Sequence, residues 1–179
     1  MRLVEKKIRA QVLYSGAVNF RVDTVLLPNG TKAAREFIDH PGAVGILPVL
    51  DNGDVVLVRQ YRYPVKEATL EIPAGKLHNK KDDPLRRVRE ELREETGYTA
   101  GKITPLLSFW PTPAFSDELL RIYLAGELRP GNRNPDEDEF LQVVRMPFEK
   151  AWRMVLNGKI KDSKTVIALQ ARTIISNRR

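Results

Sequence analysis

Two apolar runs, "GAVGILPVL" at 42–50 and "DVVLVRQYRY" at 54–63, constrain this chain more than any other feature. Strands whose apolar character is nearly continuous rather than alternating must be covered on both faces. The turn signal Asp51-Asn52-Gly53-Asp54 between them predicts a hairpin of core strands. Upstream, residues 3–40 read as strands. "VNFRVDTVLL" runs into the turn Pro28-Asn29-Gly30 and "TKAAREFID" follows, giving a small antiparallel sheet. Downstream, "ITPLLSFW" and "LLRIYLAGEL" are separated by the Pro-rich loop "PTPAFSDE", and "FLQVVRM" follows the polar segment "RPGNRNPDEDE". The chain closes with "PFEKAWRMVLNG" and "DSKTVIALQARTIISNRR", which have helical apolar spacing and start signals at Pro147 and Asp162-Ser163. Strands, one helix, strands, then two helices indicate a mixed α/β sandwich rather than a βαβ alternation.

The one helix in the middle carries the chemistry. In "GKLHNKKDDPLRRVREELREETGY", Gly75 to Tyr98, Asp82 or Asp83 can cap a helix and Pro84 fits its first turn. Leu85, Val88 and Leu92 repeat at i, i+3 and i+7 as a core stripe, and Thr96-Gly97 ends the helix. Glu91 and Glu95 lie four apart on one face with Glu94 beside them, and Glu90 precedes them. Like charges at that spacing repel, and the helix dipole disfavours negative charge in the C-terminal half. Arg86, Arg87, Arg89 and Arg93 could pair with the glutamates on a solvated face. A bound divalent cation would also repay the cost, and ligands that are all oxygen suit Mg²⁺ or Mn²⁺ rather than zinc.

Composition narrows the field. Among 179 residues, 30 Lys and Arg outnumber 23 Asp and Glu, for a net charge of +7. That excess fits an anionic partner such as a phosphate ligand, nucleic acid or an acidic surface, and equally fits a charge kept for solubility. There are no cysteines, which excludes disulfides, thiolate metal sites and Cys nucleophiles. His40 and His78, the two histidines, have no partners at ligand spacing and read as structural or surface residues. Trp110 and Trp152 read as packing residues. No apolar run reaches membrane-spanning length and "MRLVEKKIRA" lacks the apolar core of a signal peptide, so a soluble, cytoplasmic protein is expected.

"PAG" at 73–75, a loop, a capped helix and then "EELREETGY" together resemble the Nudix box, G-x5-E-x7-R-E-U-x-E-E-x-G-U with U apolar. Gly75, Glu91, Leu92, Glu94, Glu95, Gly97 and Tyr98 match. The loop is one residue longer, which leaves Asp82 where the first Glu belongs, and Glu90 stands where the box has an Arg that orients the glutamates. Arg89 and Arg93 are adjacent substitutes, though neither projects in the same direction. The resemblance extends over nearly the whole chain and points to the ADP-ribose pyrophosphatase branch. "HPGAVGILPVL", "VRQYRYP" and "LEIPAGKL" look like that branch's strands, "PTPAFSDE" like its downstream loop and "PDEDEF" like its catalytic loop.

The resemblance implies an α/β/α sandwich with a mixed sheet over residues 42–179, preceded at 1–41 by an antiparallel β-sheet subdomain that is exchanged across a homodimer. It implies Mg²⁺-dependent hydrolysis of a nucleoside diphosphate sugar, with ADP-ribose as the first expectation and GDP-mannose as the alternative. By the same resemblance, Glu91, Glu95, Glu94 and the Ala74 carbonyl would be metal ligands, and Glu137, with Glu139 as runner-up, the catalytic base. Arg62 would hold the diphosphate, while Glu71 would join the metal shell or a ribose contact, or simply be a buried Glu paired with an Arg. Ser116 and Glu118 would meet the terminal ribose, and Phe20 could stack on the base, although an aromatic in a strand is more usually core. The altered position 90 and the net charge leave open a nucleotide sensor or nucleic-acid binder, against which the retained Glu91, Glu94 and Glu95 argue.

Overall fold

The structure, a computed structural model, describes residues 3–134 and 140–176. Its elements are β1 (Lys6–Ser15), β2 (Asn19–Leu26), β3 (Lys32–Asp39), β4 (Ala43–Pro48), β5 (Asp54–Arg62), β6 (Glu67–Glu71), β7 (Ala74–Lys76), α1 (Pro84–Thr96), β8 (Tyr98–Phe109), β9 (Leu120–Pro130), β10 (Gln142–Pro147), α2 (Phe148–Leu156) and α3 (Ser163–Ser176). They form a mixed four-stranded sheet, β7-β4-β9-β8, an antiparallel sheet β10-β5-β6 and the N-terminal antiparallel sheet β1-β2-β3. Only the β4/β9 pairing is parallel among the named strands.

Strand β4 explains why the first apolar run is continuous. All six of its residues are buried, and they alternate between two cores, as the two-residue period of a strand requires. Val44 and Ile46 join Val88 and Leu92 of α1, whereas Ala43 and Leu47 join Ile72, Ala151 of α2 and Ala168 and Leu169 of α3. Strand β5 splits in the same way, with Val56 on the α1 side and Val55 and Leu57 on the other. Helices on both faces make the α/β/α sandwich, as expected.

Two local expectations change. The Asp51–Asp54 turn forms, with Gly53 at φ 87° and its N–H donating to the Leu50 carbonyl at 2.8 Å. Beyond the single bridge Val49–Val55, however, β4 and β5 diverge into different sheets, so they are not a hairpin. Each has better partners elsewhere: β7 and β9 for β4, β6 and β10 for β5. On α1, Asp83 rather than Asp82 is the cap, accepting from Leu85 N at 2.9 Å, and Gly97 ends the helix at φ 77°. Leu85 is 40 % exposed, so the stripe facing the sheet is Val88 and Leu92, with Glu91 and Glu95 buried beside it.

The N-terminal sheet sits on the Pro-rich loop. Ile38 N–H donates to the Phe115 carbonyl at 2.9 Å, and Lys80 bridges Asp39 and Asp117 at 2.6 Å each. Its outer strand β1 is exposed along all ten residues, Val12, Leu13 and Tyr14 among them.

Candidate active site

The helix of the acidic motif is pinned to the short strand before it. β7 pairs with β4 through Ala74–Gly45 and Gly75–Val44, which fixes the "PAG" backbone against the sheet. Ile72 N–H donates to Thr165 Oγ1 at 2.8 Å, and Thr165 is itself held by Asp162, the cap of α3. Across from this backbone, Glu91 is 3 % exposed, and its carboxylate fills the space next to Gly75. A Cβ on Gly75 would lie 1.5 Å from Glu91 Oε1. Only glycine permits that approach, which is the physical reason for a glycine at this position.

One guanidinium organises the acidic face. Arg87 Nη2 lies 2.5 Å from Glu91 Oε1, while Nη1 lies 3.4 Å from Glu90 and 3.5 Å from Glu94. Its Nε donates to the Lys76 carbonyl at 3.2 Å, which ties α1 to β7. Arg86 takes the other side of Glu90 at 3.0 Å and also bonds Asp82 at 2.7 Å. Asp82 thereby closes the loop, accepting from His78 N–H at 3.2 Å.

A cavity of about 660 Å³ opens at this point. Arg62, Lys76, Arg87 and Lys164 bring positive charge to its wall, and Ala74, Gly75, Glu91 and Glu118 line it as well. Ala17, in the turn between β1 and β2, reaches its rim, where Lys76 Nζ donates to the Ala17 carbonyl at 2.8 Å. On one side stands a buried ionic cluster. Glu71, 1 % exposed, accepts from Arg62 Nε at 2.8 Å and Nη2 at 2.7 Å, and from Lys164 and Thr69. Burial by itself would raise the Glu71 carboxyl, but Arg62 and Lys164 overcome it and hold the group down to about 2.

Of the residues expected in the site, Ala74, Arg62, Glu91 and Glu118 line this cavity, and Glu71 stands behind Arg62 as its buried partner. Glu94 is half-buried beside Arg87, and Glu95 is buried one turn beyond Glu91. Ser116 turns its hydroxyl to accept from Glu118 N–H at 3.2 Å. Phe20 is 39 % exposed on β2, away from the cavity lining. Glu137 and Glu139 lie outside the described residues.

Both histidines fit the structural or surface reading: His78 is exposed at the cavity, and His40 is buried, its Nδ1 accepting from Gly42 N–H at 3.0 Å. Two other residues differ from expectation or were missed. Trp110 is 61 % exposed, so it is not a packing residue; Trp152 is one. Lys164 was missed, although "DSKT" held a signal. A lysine in the first turn of a helix faces the positive end of the dipole and needs carboxylates nearby, here Asp162 at 2.8 Å and Glu71.

The donor chemistry fits a hard divalent cation: carboxylates at Glu91, Glu94 and Glu95 and a backbone carbonyl at Ala74, with no sulfur or imidazole among them. Among the described residues no three such side chains close on one point, because Glu91 and Glu94 turn toward Arg87.

Residues 39–169 match the NUDIX domain. The chain belongs to the NUDIX-domain family. This NUDIX protein is 42 % identical over 171 residues to an ADP-ribose pyrophosphatase of Bacillus subtilis (strain 168), covering 94 % of this chain and 92 % of that one. It is 40 % identical to a methanol dehydrogenase activator of Bacillus methanolicus (93 % and 91 % covered) and 37 % identical to a GDP-mannose pyrophosphatase of Yersinia pestis (strain Pestoides F; 76 % and 73 % covered). A solved ADP compounds hydrolase superposes with a TM-score of 0.82 at 20 % identity, over 97 % of this chain and 95 % of that chain, which shows the NUDIX fold.

Proposed function

We propose that this NUDIX protein hydrolyses the diphosphate bond of ADP-ribose to AMP and ribose 5-phosphate. The observation that carries the reading is the cavity in which the buried Glu91 lies against Gly75 beneath a wall of Arg62, Lys76, Arg87 and Lys164. A diphosphate is doubly anionic, and water approaches its phosphorus only when its oxygens are neutralised. Arg62 offers a planar fork for two phosphate oxygens. Glu71 fixes that fork in place, and Lys164 adds a point charge. Glu91, Glu94, Glu95 and the Ala74 carbonyl would hold Mg²⁺ or Mn²⁺. The chemistry such a cation supplies when bound is further neutralisation of the diphosphate and a more acidic water. Glu137 accepts the proton of the attacking water, with Glu139 second in line, and Glu118 and Ser116 meet the terminal ribose.

Residues 1–41 are assigned to dimerisation and residues 42–179 to hydrolysis, acting in the cytoplasm. The exposed apolar side chains of β1 support a homodimer. Phe20 stands away from the cavity of its own chain, so its stacking on a base belongs to that dimer.

The 37 % identity to a GDP-mannose pyrophosphatase favours one second reading, a different nucleoside diphosphate sugar. Incubating the protein with Mg²⁺ and separate ADP-ribose, GDP-mannose and nucleotide substrates, followed by chromatography of the products, decides between them. AMP and ribose 5-phosphate from ADP-ribose at the highest kcat/KM is the expected result. Faster turnover of GDP-mannose replaces the substrate, and no turnover of any of them overturns the reading.

A further inference from the structure

We propose that Arg87 is the positioning residue of the acidic helix face, and that Arg87 and Glu90 together are a charge exchange that keeps one guanidinium among the glutamates. The inference rests on the metal-site reading above. Residues 87, 90, 91 and 94 lie at i, i+3, i+4 and i+7 on one face of α1, so a side chain from position 87 and one from position 90 reach the same space. Glu90 stands where an Arg is expected. The charge missing there is restored one turn earlier: Arg87 lies 2.5 Å from Glu91, within 3.5 Å of Glu90 and Glu94, and donates to the Lys76 carbonyl. Arg89 and Arg93, the adjacent arginines that the sequence shows projecting in other directions, are exposed on α1 and do not line this cavity.

The arrangement has a physical logic. Glu91 is buried, and a buried carboxylate is costly unless a charged partner pairs with it. Arg87 pairs with it beside Gly75, and its own reach is fixed by the Lys76 carbonyl behind it. A rigid fork bonded on two sides positions better than a flexible ammonium. Glu90 then serves as the outer anchor of that fork, and Arg86 at 3.0 Å balances it from the solvent side. Arg87 thus acts on the cation site through Glu91.

The test is direct binding of Mn²⁺, measured by isothermal titration calorimetry without substrate, on the wild-type protein, Arg87→Ala, and the exchanged double variant Arg87→Ala with Glu90→Arg. Outer-shell partners of this kind commonly change metal affinity by roughly 10- to 100-fold. Arg87→Ala should weaken Mn²⁺ binding by about that factor while circular dichroism shows the fold retained, and the double variant should recover most of the loss. Unchanged or tighter Mn²⁺ binding by Arg87→Ala overturns the proposal, the tighter case making Arg87 a competitor of the cation. A folded double variant that binds no better than Arg87→Ala overturns the exchange. If the wild-type protein binds no Mn²⁺ at all, the metal reading fails and this proposal fails with it. Normal wild-type binding alongside an unaffected Arg87→Ala removes this proposal alone.

Discussion

Replacing Glu71 by Gln perturbs the buried carboxylate that stands behind Arg62 of the cavity wall. In the folded protein its carboxyl is held at about 2, against an ordinary value of 4.5, because Arg62 and Lys164 outweigh the cost of burial. A depressed carboxylate contributes stability that is fully present above the unfolded value and is lost as pH falls toward the folded one. That depression is worth roughly 3 kcal/mol at pH 7, at about 1.36 kcal/mol for each tenfold change in acidity. The same relation leaves about 1 kcal/mol at pH 3, where the unfolded chain is already protonated. Glu71→Gln removes this contribution and leaves Lys164, a half-buried ammonium, with Asp162 as its remaining carboxylate. Equilibrium unfolding in urea at pH 7 and pH 3 measures both. The expected gap between wild type and variant is about 3 kcal/mol at pH 7, narrowing by about 2 kcal/mol at pH 3. A gap below about 1 kcal/mol at pH 7, or one that stays constant across this range, refutes the account of the cluster.

The other expectations concern the site and the assembly. Gly75→Ala drives a methyl to 1.5 Å from Glu91 Oε1 and so displaces that carboxylate; kcat/KM should fall by about 100-fold, and an unimpaired rate would mean that Glu91 does not need its place there. Hydrolysis should vanish with EDTA and in Glu95→Gln while thermal melts show the fold retained, and full activity in EDTA removes the metal assignment. Glu137→Gln should lower kcat by about 10² to 10⁴ with little change in KM, since a base acts mainly in the transition state; a larger effect from Glu139→Gln moves the base to that residue. Leu13→Asp, on the fully exposed β1, should convert a dimer to a monomer in size-exclusion chromatography with light scattering, and a wild-type protein that is already monomeric removes the dimer.

What the sequence determined by itself were the features with a local physical signature. Continuous apolar runs required burial on both faces, and β4 divides its side chains between two cores as such a run must. A cap at Asp82 or Asp83, the first-turn Pro84 and Gly97 bounded α1 because each acts on its neighbours in the chain, and the structure chose Asp83. The order of elements indicated a mixed α/β sandwich, the family resemblance implied its α/β/α layering, and the motif from Gly75 to Tyr98 placed the acidic helix beside the "PAG" strand. Tertiary structure decided whatever depended on partners distant in sequence. Strands β4 and β5 parted because β9 and β10, far downstream, pair with them better than they pair with each other. Leu85 fits the helical period but faces solvent, since the sheet extends only under Val88 and Leu92. Lys164 bonds Glu71 from 93 positions away, and the Ala17 carbonyl meets Lys76 across 59. Arg87 was visible as one of several arginines, but which of them serves the glutamates depended on where the Lys76 carbonyl lies once β7 pairs with β4. Periodicity and capping are written into consecutive residues, whereas the pairing of charges across elements exists only after the sheet has set their distances.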